Sequence, residues 1–483
     1  MVSYGEEINK EKNVLMPKNH LGVIGLGVMG RNLALNAVSK GFAVSGYDTE
    51  SDKGRALVEA AAGKKVLSAA TLPEFVDSLE APRRIWVMVP AGKAVDSVLA
   101  GLKPVLSADD IVLDGGNSHF KDTERRARDW EASGLRFFGM GVSGGEEGAL
   151  RGPCLMPGGH EPSYRRLEQV LTQMAAQTQD GSCCTYIGPG GAGHYVKMIH
   201  NAIEYGVMQA ICEAYDILKN VAGLSGLEIR DHFGEWNSGD LNSFLLEISV
   251  TVLGKVDPET GKPLVDMVLD TAEQKGTGKW AAQDAFDIGV AIPTLTASVI
   301  ARIISGAKDD RVAASKVLTG PRGQFSGDKG KFISAVRDAF KLTVLACYAQ
   351  GFEMMRVASK EYQSQLHFDE ISRIWKGGCI IRSRMLDPIR AAFQQNRELK
   401  NLLVAPEFSR LINEKSSNLR EVVGTAIALG TPCPAFSTSL TYIDSYRQAR
   451  LPANLLQAQR DYFGAHTYRR IDKEGKFHTE WEK

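Results

Sequence analysis

The chain has 483 residues, with 57 Lys plus Arg against 57 Asp plus Glu, so no net field favours nucleic acid or an anionic membrane surface. Its apolar fraction of 43% is ordinary for a globular protein, and the length implies two or three domains with large cores. No run of about 18 apolar residues occurs to cross a membrane, and an odd count of cysteines, 7, does not suit a disulfide framework. Neither Cys-x-x-Cys nor His-x-x-x-His spacing is present, so no metal is expected, and a reduced cytoplasmic location is.

Residues 1–19 read as a polar N-terminal extension, without the apolar core expected of a signal peptide. His20 to Ile24 is a short apolar strand, followed at once by Gly25-Leu26-Gly27-Val28-Met29-Gly30 and a helical run from Arg31 to Lys40. Strand, glycine turn and helix in that order suit a dinucleotide. The first glycine permits the turn, the second lets backbone approach a pyrophosphate, and the third lets helix and strand pack closely. Phe42 to Tyr47 reads as the next strand, and Asp48 ends it.

Arg84 to Val89 and Ile111 to Leu113 read as buried parallel strands, each entering a loop, Pro90-Ala91-Gly92 and Asp114-Gly115-Gly116-Asn117. Arg136 to Gly141 is another strand. Ligands of a doubly wound sheet lie beyond the carboxyl ends of its strands, which puts Val89, Pro90, Ala91 and Asn117 beside a cofactor. Read alone, Asn117 is more readily a plain turn residue. Ser143, Gly144 and Gly145 follow a strand and offer a cradle of backbone donors for a carboxylate, unless the stretch is a plain connection. Pro157-Gly158-Gly159 reads as a turn.

From residue 192 onward the 3.6-residue period dominates and a helical domain begins. In Gly190 to Gly206, Lys197, His200, Asn201, Glu204 and Tyr205 share one stripe of a helix, while Val196, Ile199 and Ile203 share the opposite one. The polar stripe turns apolar at Met208 and Ile211, so the helix is buried and its charges need a reason. A salt-bridged surface face is the alternative. Gln274 to Trp280 (QKGTGKW) is a basic, glycine-containing loop before a helix, and Lys275 and Thr277 suit a phosphate, although the spacing is not that of a Walker motif. Gly377 to Arg382, with Arg384, reads as structural. Leu451 to His466 carries more specific polar and aromatic residues than a surface tail needs.

These stretches resemble the 6-phosphogluconate dehydrogenase family. The resemblance rests on GLGVMG at 25–30, DGGNSHFKDT at 114–123, VSGGEEGA at 142–149, GGAGHYVKMIHNAIEYG at 190–206, QKGTGKW at 274–280, GGCIIR at 377–382 and LPANLLQAQRDYFGAH at 451–466. It implies an α/β Rossmann domain over 20–190, an all-helical dimerisation and substrate domain over 191–450, and a tail over 451–483 that enters the active site of the partner in a homodimer. The implied reaction is oxidative decarboxylation of 6-phospho-D-gluconate to D-ribulose 5-phosphate and CO2, in the pentose phosphate pathway. Lys197 matches the family's general base and Glu204 its general acid. Asn117, Ser143, Gly144, Gly145, His200 and Asn201 match its contacts to carboxylate and hydroxyls, and Tyr205, Lys275, Thr277 and Arg302 its phosphate contacts. Arg460 and His466 match the two phosphate contacts supplied by the neighbouring subunit. A superfamily relative acting on an unphosphorylated β-hydroxy acid is the competing reading, and a sensor without catalysis a third.

The chain departs from the resemblance at the cofactor. Many NADP-using members carry Asn-Arg-Thr after the second strand, whereas Asp48 and Thr49 occupy those positions here, with Glu50 beyond. Pro90 stands where a lysine is common. A carboxylate accepts from both ribose hydroxyls of NAD and repels a 2′-phosphate, so NAD is expected over NADP. Lys53 and Arg55 are the cations that would argue the other way.

Overall fold

The computed structural model describes residues 18–274, 276–321 and 323–482; of the expected N-terminal extension, Lys18 and Asn19 are among them. Short apolar runs form a seven-stranded sheet in the order β3-β2-β1-β4-β5-β6-β7. The strands are β1 (Leu21–Ile24), β2 (Val44–Tyr47), β3 (Val66–Ser68), β4 (Arg84–Val87), β5 (Ile111–Asp114), β6 (Arg136–Ser143) and β7 (Cys154–Gly159). All neighbours run parallel except β6 and β7. Helices α1 (Val28–Ser39), α2 (Ser51–Ala60), α3 (Leu72–Asp77), α4 (Lys93–Leu102), α5 (Phe120–Glu131), α6 (Gly145–Arg151) and α7 (Glu161–Met174) connect or follow them. Successive strand residues feed two different cores: Leu21, Val23, Trp86 and Ile111 one, Ile24, Ile85, Val87 and Val112 the other. A sheet covered on both faces explains why these strands read as continuous rather than alternating apolar runs.

β1 lies between β2 and β4, so the winding reverses there and the crevice beyond its carboxyl end suits a dinucleotide. Three local features differ from the sequence reading. α1 starts at Val28 rather than Arg31, because Gly27 is its N-cap and the glycine motif itself forms the first turn. β3 is a three-residue edge strand, too short to announce itself. Pro157-Gly158-Gly159 is not a turn but the end of β7, paired antiparallel with β6. The glycines there answer to packing, since a Cβ on Gly158 would collide with the backbone of Gly193.

Helices make up the second half: α8 (Ala192–Asp216), α9 (Gly226–Ser238), α10 (Phe244–Gly254), α11 (Thr277–Asp287), α12 (Pro293–Gly306), α13 (Lys308–Ala314), α14 (Lys329–Glu361), α15 (Phe368–Ile374), α16 (Leu386–Gln395), α17 (Pro406–Ala428), α18 (Pro434–Tyr446) and α19 (Ala453–Gly464). α8 is 25 residues long and lies against β6 and β7 on one side and α11, α12 and α14 on the others. After α19 the chain folds back on Asp461. Its carboxylate accepts from the amides of Thr467 at 2.9 Å and Thr479 at 3.0 Å, and from the Trp481 indole at 3.0 Å. Among the described residues no helix is long and apolar enough to cross a membrane.

Candidate active site

α8 is buried over most of its length, and so is most of its polar stripe: Lys197 is 6% exposed and His200 0%, while the Glu204 side chain is 20% exposed. The helix reaches this depth because glycines face it. A Cβ on Gly141 of β6 would stand 2.5 Å from Cβ of Lys197, and a Cβ on Gly193 would overlap carbonyls of β6 and β7. The sheet and the helix therefore meet backbone to backbone, which sets Lys197 just below the carboxyl end of β6.

Lys197, His200 and Asn201 of the stripe form one hydrogen-bonded network. Lys197 Nζ lies 3.4 Å from Nδ1 of His200, whose Nε2 is 3.1 Å from Ser143 Oγ. His200 Nδ1 is also 3.1 Å from Asn201 Oδ1, and Asn201 Nδ2 donates to Thr277 Oγ1 at 3.3 Å. Burial, and Lys197 after it, holds His200 well below the usual histidine range, so the ring is neutral. With Nδ1 protonated it donates to Asn201 and accepts from Ser143; with Nε2 protonated it accepts from Lys197. Glu204 approaches the same Nδ1 to 3.8 Å. At the next residue, the Arg302 guanidinium stacks 3.6 Å from the centre of the Tyr205 ring.

Lys197 and Glu204 are shifted toward each other. Burial pulls the lysine below its ordinary pKa, opposed by the charge of Glu204. Burial pushes the glutamate above its ordinary pKa, opposed by Lys197 and Arg302. Both shifts favour the neutral form, which makes the lysine a better base and the carboxyl a better acid near neutrality.

Ser143 ends β6, and Gly144 follows with φ +129° in a position where a Cβ would stand 2.6 Å from the carbonyl of Gly378. The 377–380 loop packs on this turn: Ile380 N donates to Ser143 Oγ at 3.3 Å and the Gly378 carbonyl accepts from Cys154 N at 2.7 Å. At the other end of the sheet's upper edge, a Cβ on Gly27 would meet nothing within 4 Å, so backbone there is open to a pyrophosphate at the start of α1. A Cβ on Gly30 would overlap the carbonyl of Gly25, which keeps the turn tight. Asp48 Oδ2 accepts from Leu26 N at 2.7 Å, tying the end of β2 to that turn. Val28, Thr49, Pro90, Ala91 and Asn117 are exposed along the same edge. These residues fit a dinucleotide.

Residues 20–188 match the NAD binding domain of 6-phosphogluconate dehydrogenase, and residues 193–481 match the 6-phosphogluconate dehydrogenase C-terminal domain. The chain belongs to the 6-phosphogluconate dehydrogenase family. A decarboxylating 6-phosphogluconate dehydrogenase of Synechocystis sp. is 54% identical over 97% of this chain and 98% of its own length. One of Bacillus subtilis, named NADP(+)-dependent, is 52% identical over 97% of this chain and 100% of its own. The solved Plasmodium falciparum 6-phosphogluconate dehydrogenase, described alone, with its cofactor NADP+ and with its substrate 6-phosphogluconate, is 40% identical. It superposes with a TM-score of 0.92 over 96% of this chain and 100% of that one.

Among the residues expected from the 6-phosphogluconate dehydrogenase resemblance, Ser143, Lys197, His200, Asn201, Glu204, Tyr205, Thr277 and Arg302 come together around α8. Lys275 lies outside the described residues. Arg460 and His466 keep to the tail, the first bonded to Gln457 at 3.2 Å and the second edge-on to Phe463. The sequence reading missed Trp375, whose ring meets that of His200 edge-on at 5.6 Å, and the bond from Ile380 to Ser143. The paired glycines at 377 and 378 were the available signal for that loop.

Proposed function

We propose that the chain oxidises and decarboxylates 6-phosphogluconate to ribulose 5-phosphate and CO2, with Lys197 as base and Glu204 as acid. The observation that carries this is the pair itself: two ionisable groups on one face of a buried helix, each shifted toward its neutral form. Bound nicotinamide supplies the hydride acceptor. Neutral Lys197 takes the proton of the hydroxyl β to the carboxylate, and then returns it to the ketone oxygen as CO2 leaves. The electrons collect on that oxygen, and protonated Glu204 gives a proton to the carbon of the resulting enediol. Ser143, with the backbone of half-buried Gly144 and exposed Gly145, suits the carboxylate, and neutral His200 and Asn201 suit hydroxyls. Thr277, Lys275 and Arg302, the last held over Tyr205, suit the phosphate and disfavour an unphosphorylated hydroxy acid.

For the cofactor we favour NAD. Asp48 stands at the end of β2; Lys53, 3.7 Å from it, is shared with Glu50 at 2.8 Å, so two carboxylates face one lysine, and Arg55 is engaged by Asp52. The NADP named for the relatives is the rival. We also infer a cytoplasmic homodimer, with domains meeting at residues 190 and 191 and a tail from 451 that completes the partner's site through Arg460 and His466. Support for a second copy comes from exposed Ile300, Ile303 and Ile304 on α12 and Leu455, Leu456 and Phe463 on α19. The test is incubation with 6-phosphogluconate, or an unphosphorylated β-hydroxy acid, and each cofactor, following reduced nicotinamide by absorbance. Turnover of the unphosphorylated acid alone would overturn the reading.

A further inference from the structure

We propose that Arg126 is a positioning residue for hydride transfer: one buried guanidinium holds together the two loops that flank the nicotinamide end of the cofactor cleft. The inference rests on the dehydrogenase reading above. Arg126 lies on α5 and is 1% exposed. Its Nη2 donates to the carbonyl of Gly92, in the loop after β4, at 3.1 Å, and its Nε donates to Asp96 in the first turn of α4 at 2.8 Å. Its Nη1 stands 3.6 Å from Oδ2 of Asp114, the fully buried last residue of β5. Asp114 in turn accepts from Ser118 Oγ at 2.5 Å and from Gly116 N at 3.0 Å, fixing the loop after β5 from within.

The two loops touch. Gly115 N donates to the Val87 carbonyl at 2.9 Å, and a Cβ on Gly116 would lie 3.1 Å from the Val89 carbonyl. Asp48 marks the adenosine side of the reversal at β1, so loops beyond β4 and β5 border the nicotinamide side. α5 also holds the helix that carries Lys197: Thr123 Oγ1 lies 2.7 Å from Nδ1 of His194, one turn before the lysine. Arg126 thus sets the gap between the cofactor loops from the same helix that steadies the base. The planar guanidinium donates to one carbonyl and one carboxylate while its third nitrogen, without a hydrogen bond of its own, faces the Asp114 carboxylate as an ion pair; an ammonium cannot reach all three.

β4 and β5 are pinned at their other end too, where Arg83 meets Asp110 at 2.9 Å. That end carries no ligand in a sheet of this kind, so Arg83 is the internal control for a purely structural role. Both arginines bury charge pairs, and both substitutions are expected to lower the thermal midpoint. Hydride transfer separates them, because small displacements of reacting atoms cost rate steeply, on the order of 10²-fold for about 1 Å.

The test compares full-length Arg126→Lys, Asp96→Ala and Arg83→Lys with the parent. Turnover is measured with 6-phosphogluconate and with the same substrate deuterated at the carbon that gives up hydride, and cofactor and substrate dissociation constants are measured directly. In Arg126→Lys, kcat falls by roughly 10- to 100-fold, the isotope effect rises, and both dissociation constants stay near the parent's. Asp96→Ala, which frees Nε but keeps the buried pair, shifts kcat and isotope effect the same way and less, and decides the matter if Arg126→Lys does not fold. Unchanged kcat and isotope effect in the folded variants, or an equal rise in Arg83→Lys, would overturn the proposal. A parent that does not turn over 6-phosphogluconate refutes the dehydrogenase reading first, and this inference with it.

Discussion

Replacing Lys197 by Met removes the base while keeping a side chain of similar length and apolar character in a buried place. No buried polar atom is orphaned by the change, since His200 retains Ser143 and Asn201 on its two ring nitrogens. Loss of a positioned base costs about 10²- to 10⁴-fold in kcat, or about 3 to 5 kcal/mol of transition-state stabilisation. A second effect follows from the geometry. Lys197 is the larger of the two cationic influences that hold Glu204 down, so its removal leaves burial opposed by Arg302 and raises the glutamate further. In the parent, the rate climbs with pH as Lys197, shifted below its ordinary 10.5, loses its proton. It falls as Glu204, shifted above its ordinary 4.5, loses its own, so the active form carries a neutral Lys197 and a protonated Glu204. The variant should lack the rising limb. Steady-state rates of nicotinamide reduction across pH, with cofactor binding followed by fluorescence, provide the assay. A folded Lys197→Met with kcat within about tenfold of the parent, or with the rising limb intact, refutes the assignment.

Asp48→Asn combined with Thr49→Arg should move preference toward NADP by about 10- to 100-fold in the ratio of kcat/KM, the worth of one charge-assisted bond to the 2′-phosphate; an unchanged ratio places specificity elsewhere. Mixing Lys197→Met with Arg460→Ala subunits should restore activity, since one site of each hybrid dimer carries neither defect; demonstrated hybrids without activity would remove Arg460 from the partner's site. Glu213, on α8, caps α18 by accepting from Ala435 N at 2.8 Å and Phe436 N at 2.9 Å, and burial raises it from 4.5 to about 7 against those bonds. The folded state therefore binds this proton more tightly than the unfolded chain, and stability is lost as pH rises from about 4.5 to about 7, by up to about 3 kcal/mol. Urea midpoints of Glu213→Gln should fall less over that window than the parent's, and parallel curves would count against the shift.

The dinucleotide half was legible because each local signal agreed with the next: β1, the glycine turn, α1 and Asp48 follow in order, and Leu26 N bonds to Asp48 as their proximity requires. The stripe on α8 was legible because helical spacing alone puts Lys197, His200, Asn201 and Glu204 on one face. What brings that face to the sheet was not. It depends on glycines at 139, 141, 158 and 193 that allow backbone contact between distant segments, and in sequence they read as turns or as nothing. Pro157-Gly158-Gly159 was misread for this reason, local turn chemistry being overridden by packing against α8. Arg126 was invisible for another: on a charged helix it looks like any surface arginine, and only the fold buries it against Asp96 and Asp114.

The central claim is that two groups on one helix divide the reaction, Lys197 serving oxidation and Glu204 the protonation of carbon. A single turnover of 6-phosphogluconate in D2O measures both, through absorbance of the reduced nicotinamide and deuterium appearing in the product at the carbon that lost CO2. Glu204→Gln should reduce nicotinamide at a rate close to the parent's while deuterated product lags by roughly 10²-fold or more, and Lys197→Met should slow both signals together. If Glu204→Gln slows nicotinamide reduction as much as it slows product formation, the division of labour is wrong.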